Sequence, residues 1–264
     1  MHHIFINENE IDLSNKLIKI DRGSENYNHL AKSLRVEKDE NILCSVLPFI
    51  NSYDYRSKVL DVNDEYITLL IEENVVANEL PVKINIYQGI AKFDKFEFII
   101  EKAVELGVYS VIPVATEYCV AKIDDKKSEK KIDRYNKISR SAAEQSKRHI
   151  VPHIGEPIDF KKMIEILSVT NVKKYNLLFY ENAEGISKTR EVLKEIANVV
   201  KNEDANTIEI NVVIGPEGGF SEKEIELAKN MNFNILSLGD RILRTETAAI
   251  TAMSILMYEF NSIV

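Results

Sequence analysis

From Val82 onward, short runs of β-branched and other apolar residues alternate with segments whose apolar residues recur at helical spacing, and that alternation admits few folds. Residues 82–87 form a strand pattern. Phe96, Ile99, Ile100 and Ala103 then fall on one helix face, and Gly107 ends that helix. Residues 108–114 are the next strand, and Ile132, Tyr135, Ile138 and Ala142 lay an apolar stripe along a helix that Pro152 stops. Further strands are predicted at 175–180, 208–214 and 235–238, and further helices at 188–200, 222–231 and 247–260. Strands and helices in strict alternation give an α/β domain around a mostly parallel sheet.

The first 75 residues keep a different rhythm. Short apolar runs at 4–6, 17–20, 42–46 and 66–71 stand between polar punctuation, with one helical segment at 27–34, as in a small β-domain. Residues 72–81 have the look of a linker closed by Pro81, which divides the chain into a β-domain over 1–74 and an α/β domain over 75–264.

A chain of 264 residues can bury the cores of two such domains. Its longest apolar stretch, 248–260, is too short to span a bilayer, and no basic-then-apolar leader opens the sequence, so the cytoplasm is the expected location, away from membranes. Cys44 and Cys119 are far apart and in no C-x-x-C pattern, which argues against disulfides and thiolate metal sites; both are expected to be packing residues, and no metal is expected. The net charge of −8 is unusual for a nucleic-acid binder. Between Lys126 and Arg148, however, nine basic residues face three acidic ones, which gives either a local track for RNA or a plain solvated helix face.

Ligands of parallel sheets sit beyond the carboxyl ends of the strands, and two such ends stand out. The first carries Gly215-Pro216-Glu217-Gly218-Gly219-Phe220-Ser221, with Ser221 and Glu224 placed as a capping box. It lacks the Gly-Lys-Ser/Thr ending of a phosphate loop and the G-x-G-x-x-G of a dinucleotide site. An acid amid glycines tolerates a cationic or donor-rich ligand; a plain strand-to-helix turn is the alternative. The second end runs Leu238-Gly239-Asp240-Arg241-Ile242-Leu243-Arg244-Thr245-Glu246-Thr247-Ala248, with charges crowded before a helix whose Ala248, Ala249 and Ala252 let another backbone pass close by.

Those two stretches resemble the RsmE family of bacterial 16S rRNA methyltransferases. Upstream, Lys92, Asp94-Lys95, Lys102-Ala103, Glu105-Leu106-Gly107-Val108 and Pro113 are similar to one conserved block of that family. Ala142-Ala143-Glu144-Gln145-Ser146, Arg148 and Val151-Pro152 are similar to a second, and His29-Leu30, Leu34-Arg35 and Asp39 resemble an N-terminal stretch. The chain departs from the pattern at His3, where arginine is usual, at Phe93 for glycine, at Tyr118 for arginine, and at Pro48-Phe49-Ile50-Asn51 in place of an Asp-Gly turn. None of these departures falls within the two C-terminal loops.

The resemblance implies a PUA-like or OB-like β-barrel followed by an α/β SPOUT methyltransferase domain with a deep C-terminal trefoil knot. It implies S-adenosyl-L-methionine as methyl donor, a homodimer, and N3 of a uridine in the decoding region of 16S rRNA, within the 30S subunit, as the target. The implied donor-binding residues are Tyr180, Glu181, Ile214, Gly215, Pro216, Glu217, Gly218, Leu238, Gly239, Ile242, Leu243, Arg244, Thr247 and Ala248. Arg244 and Glu246 are the expected catalytic residues; Arg22, His29, Arg35, Lys92, Lys95, Arg140 and Arg148 are the expected RNA contacts. Another RNA target, or an assembly factor without chemistry, would use the same fold.

Overall fold

The computed structural model describes residues 1–47, 53–77, 79–119, 125–169, 173–203 and 207–261. The turn expected at 48–51 lies outside the described residues. The chain divides into two compact units, one of Met1–Glu79 with Ala143–Val151, the other of Leu80–Ala142 with Pro152–Val264.

The first unit is built on a six-stranded sheet ordered β1-β4-β5-β6-β3-β2, from β1 (His2–Asn7), β2 (Ile11–Asp12), β3 (Leu17–Asp21), β4 (Asn41–Leu47), β5 (Tyr53–Val62) and β6 (Tyr66–Val76). β1 and β4 pair in parallel and the other neighbours antiparallel, with register shifts in β5 at Arg56/Ser57 and Val59/Asp61. Period-two alternation turns Ile4 and Ile6, Ile18 and Ile20, Ile42, Cys44 and Val46, and Ile67, Leu69 and Ile71 into one core. Ser24 caps α1 (Glu25–Tyr27), which continues as a π-helical stretch over Asn28–Leu34 and ends at Arg35 with φ +53°. β6 continues to Val76, so much of the expected linker is strand.

The sequence pattern does not announce β5, because its inward positions include Asp54 and Ser57 rather than apolar residues alone. Asp54 belongs to a buried polar cluster. Ser45 Oγ donates to Asp54 Oδ1 at 2.5 Å, so His3 must donate to Ser45 from Nε2 at 2.8 Å, and His149 Nδ1 also contacts Asp54. His3, at the position where the family resemblance expects arginine, is therefore an interior residue. Burial, outweighing the attraction of Asp54, holds its imidazole below the ordinary 6.5. The unfolded chain takes up a proton at that pH while the folded one resists it, so this contribution is fully present above pH 6.5 and is lost as pH falls through the folded value. The melting temperature is expected to fall between pH 7.5 and pH 5.5, and H3Q is expected to flatten that part of the slope; an identical loss in H3Q would assign the slope to other groups.

The second unit holds seven parallel strands. The main path is β10 (Ile158–Asp159), β8 (Ser110–Ala115), β7 (Lys83–Gly89), β12 (Ile208–Ile214), β11 (Lys173–Phe179) and β13 (Asn234–Leu236), with β9 (His153–Ile154) also paired to β8. Its helices are α2 (Phe93–Glu105), α3 (Asp125–Ser146, its last turn in the first unit), α4 (Phe160–Leu167), α5 (Ile186–Asn202), α6 (Glu222–Asn230) and α7 (Thr245–Asn261). The central strands are apolar on both faces, as helices covering both sides require: Ile84 and Ile86 on β7, and Ile210, Val212, Val213 and Ile214 on β12, are buried. α4 is not among the helices expected from the sequence, although Asp159 caps it and Phe160, Met163, Ile164 and Leu167 give the helical stripe.

A polar row crosses this apolar sheet. Ser110 Oγ donates to Asn85 Oδ1 (2.7 Å), Asn85 Nδ2 to Asn211 Oδ1 (3.1 Å), and Asn211 Nδ2 to Asn176 Oδ1 (2.9 Å). These residues are register partners on β8, β7, β12 and β11, so a slip of one residue would break every bond. N211A would leave the Asn85 amide and the Asn176 carbonyl bare at about 1–3 kcal/mol each. Urea unfolding is expected to show a loss of about 2–6 kcal/mol.

Candidate active site

Because the strands are parallel, β11, β12 and β13 deliver their following loops to one edge, where the loops enclose a cavity of about 400 Å³. That size accommodates a nucleoside-sized ligand. Side chains and backbone lock the loops together. Tyr180 N–H donates to Leu236 O (2.9 Å), and Thr189 Oγ1 donates to Ser237 O (2.7 Å) while accepting from Ser237 N–H (3.2 Å). Thr245 Oγ1 donates to Gly215 O (2.6 Å) and accepts from buried Gln88 Nε2 (2.9 Å). The start of α7 is thus tied to the glycine-rich loop and to the end of β7.

Two glycines are indispensable for distinct reasons. A Cβ on Gly89 would stand 2.4 Å from Pro216 N, so the glycine-rich loop rests directly on the end of β7. Gly239 has φ +118° with open space around it, so only its backbone conformation demands glycine. The departure at Tyr118 bears on the cavity loops after all: a Cβ on Gly218 would lie 2.8 Å from Tyr118 Cβ and Tyr118 O. Ser221 and Glu224 form the expected capping box, and Glu224 also accepts from Glu117 N–H.

The structure gathers most of the expected donor-site residues. Tyr180, Glu181, Ile214, Gly215, Pro216, Glu217, Gly218, Leu238, Gly239, Ile242, Leu243, Arg244 and Ala248 all line the cavity. Thr247 does not; it is exposed. Thr245 and Ala248, three apart on α7, share the face turned to the cavity, and Thr247 points elsewhere. Thr245, missed in the sequence reading, does the joining. Phe179, Gly219, Phe220, Ser237, Arg241 and Lys95 complete the wall. No local signal marks Thr245: it is the first residue of α7, and its hydroxyl joins Gly215 and Gln88 instead of capping the helix.

The charges are arranged more tightly than the sequence suggests. Lys95, expected on the RNA side, lines the cavity with its Nζ 3.6 Å from Glu217 Oε1 and 3.4 Å from Glu246 Oε2. Glu217 Oε1 also accepts from Lys92 N–H at the start of α2 (3.2 Å). Glu217 is therefore engaged with α2 as well as facing the cavity. Glu246 is not part of the wall; its Oε2 is buried and meets Lys95 without a hydrogen bond of good geometry.

The other expected RNA residues are dispersed. Arg22 and Arg35 are exposed on the first unit and His29 is half-buried there; Lys92 is exposed at the start of α2, and Arg140 is half-buried on α3. Arg148 requires correction as an open RNA contact. It is 5% exposed, and Glu79 clasps it at 3.1 Å from Nε and 2.5 Å from Nη2 while accepting from His149 N–H. Its guanidinium is committed to holding the 143–151 segment within the first unit. The basic face is further reduced by Arg134, which pairs with Glu97. Cys44 is buried, with its thiol pushed up by desolvation, and Cys119 is half-buried; both are free. Among the described residues no group of three or more His, Cys, Asp or Glu could hold a metal, and no helix is long and apolar enough to cross a membrane.

With that geometry in hand, the comparisons with known proteins are specific. A family model described as an RNA methyltransferase domain matches residues 78–257, which span the parallel sheet and every cavity loop. The fold and site are those of an RNA methyltransferase. The chain is 33% identical over 236 residues to the ribosomal RNA small subunit methyltransferase E of Bacillus subtilis (strain 168), covering 89% of this chain and 88% of that one. It is 35% identical over 223 residues to the protein of the same name from Mesomycoplasma hyopneumoniae (strain 232), covering 84% and 87%. The structure superposes on the ribosomal RNA small subunit methyltransferase E from Neisseria gonorrhoeae, solved bound to S-adenosylmethionine, with a TM-score of 0.76 at 26% identity and coverage of 98% and 97%. A putative methyltransferase from Legionella pneumophila in complex with the same cofactor gives 0.75 at 27% identity, covering 98% of each chain. This chain belongs to the ribosomal RNA small subunit methyltransferase E family.

G239A is expected to cost about 1–3 kcal/mol in loop conformation. Calorimetry with S-adenosylhomocysteine should then show roughly tenfold weaker binding, and urea unfolding a loss of stability no larger than that cost.

Proposed function

We propose that this protein transfers the methyl group of S-adenosylmethionine to N3 of a uridine in the decoding region of 16S rRNA, acting on the 30S subunit as a cytoplasmic homodimer. The observation that carries the reading is the cavity at the ends of β11, β12 and β13, walled by both of the sequence stretches that resemble the family. Its residues fit the donor. Ile214, Leu238, Ile242, Leu243 and Ala248 supply apolar wall for an adenine, and the backbone of Gly215–Gly218 and of Gly239 can approach closely. The donor supplies an activated methyl group; the protein must supply the rest.

Uracil N3 lies between two carbonyls and becomes nucleophilic only when its proton leaves, which builds charge on the carbonyl oxygens. Fixed cations near those oxygens lower the barrier by electrostatic stabilisation, and rigid loops align the reactants. Arg244, at the cavity wall beside the start of α7, is assigned as a catalytic cation. The target base is extruded from its stack to reach it. Arg22, His29, Arg35, Lys92 and Arg140 are assigned to RNA, with Arg148 acting through the segment it holds. The curled sheet of the first unit is assigned as a PUA-like barrel and the second unit as a SPOUT domain; the division expected at 74/75 moves to Glu79/Leu80, because β6 runs to Val76, and residues 143–151 join the first unit. In that domain the C-terminal loops are assigned as a deep trefoil knot, as in the family the two loop sequences resemble.

R244A is expected to lower kcat at least tenfold, the size of one well-placed electrostatic contact, with donor affinity little changed. Transfer of labelled methyl groups to 30S subunits and to naked rRNA, followed by nucleoside mass spectrometry, measures it. Wild-type turnover in R244A would remove the arginine from the mechanism, and methylation of another nucleoside would replace the proposed target.

A further inference from the structure

We propose that Lys95 is a second catalytic cation, stabilising the negative charge that develops on a uracil carbonyl, and that Glu217 and Glu246 are its positioning residues. The assignment rests on the reading that this chain methylates uridine N3.

A lysine on a helix ordinarily leaves its ammonium in water at the end of a flexible stem, and holding it in one place costs rotamer entropy. Lys95 is held otherwise. It rises from the first turn of α2 into the cavity wall, where carboxylates from two different elements meet its Nζ: Glu217 of the glycine-rich loop at 3.6 Å, and Glu246 of the first turn of α7 at 3.4 Å. All three side chains are partly shielded from water, at 26%, 23% and 17% side-chain exposure. Glu217 is itself fixed by the Lys92 amide, and Glu246 Oε2 is sealed from water with Lys95 as its ion-pair partner. An ammonium has three N–H bonds. The two carboxylates hold it by charge at ion-pair distance, without a hydrogen bond of good geometry, and so leave its N–H bonds for a group in the cavity.

The arrangement also accounts for Glu246, which stands beside the reaction yet does not line the cavity. It acts through Lys95. In the reaction the N3–H proton passes to solvent, the N3 electron pair takes the methyl carbon, and sulfur keeps the electrons of the broken carbon–sulfur bond. The products are N3-methyluridine and S-adenosylhomocysteine. Lys95 stabilises the anion formed at the first of these events, so its value depends on how acidic N3–H is.

That dependence gives the test. Removing Lys95 alone would set Glu217 and Glu246 against each other, so the variant of choice is the neutral double K95M/E246Q, with E246Q alone beside it. The substrates are 30S subunits reconstituted with 16S rRNA carrying uridine or 5-fluorouridine, whose N3–H is more acidic. On uridine the double variant is expected to lose about tenfold or more in kcat at pH 7.5, with its rate–pH limb moved to alkaline pH. The defect is expected to shrink several-fold on 5-fluorouridine, and S-adenosylhomocysteine affinity by calorimetry to stay within about twofold of wild type. E246Q is expected to show a smaller shift in the same direction. An equal defect on both substrates, or an unmoved pH limb, would overturn the assignment. If the wild-type protein forms no N3-methyluridine, the underlying reading fails and the assignment with it.

Discussion

The hydroxyl of Thr245 is the joint on which the cavity depends. It donates to the carbonyl of Gly215 and accepts from the amide of Gln88, so one side chain couples the first residue of α7, the glycine-rich loop and the end of β7. Parallel pairing brings the loops to a common edge, and this bond sets their spacing there. The close seat of Pro216 on Gly89 and the left-handed turn at Gly239 follow from the same demand that backbone approach backbone. The row of asparagines across β7, β12 and β11 holds the register that makes the strand ends coincide.

The protein carries a net charge of −8, and several basic residues that a sequence count would offer to RNA are occupied by acids of the chain itself: Arg148 by Glu79, Arg134 by Glu97, Lys95 by Glu217 and Glu246. A buried pair such as Arg148–Glu79 adds little net stability over apolar packing, because desolvation opposes attraction, but it fixes where a cation stands. In the first unit His3, Ser45, Asp54 and His149 likewise form a buried polar cluster in a unit whose core is rich in isoleucine.

What was legible and what was not separates along physical lines. The strands and helices of the second unit stand near their expected places because apolar periodicity reports burial directly: α6 begins at its capping box, and α7, expected over 247–260, runs Thr245–Asn261. β5 escaped notice since its inward positions include Asp54 and Ser57, and α4 since eight residues are a short stripe. Of the expected donor-site residues only Thr247 faces away from the cavity, a matter of helical phase that loop motifs do not carry. Thr245 drew no attention because one hydroxyl among several polar loop residues has no signature until its partners are known.

The amino-acid order alone determined the alternation of strand and helix, the two glycine-punctuated strand ends and the kinship they carry, because those are local patterns of apolar spacing and backbone permission. Only the tertiary structure decided which charges meet. Whether Arg148 faces RNA or Glu79, and whether Lys95 stands in solvent or between two carboxylates, depends on groups tens of residues or more apart in the chain. Attraction between charges falls with distance in space, and distance in space is what a linear sequence leaves open until packing closes it.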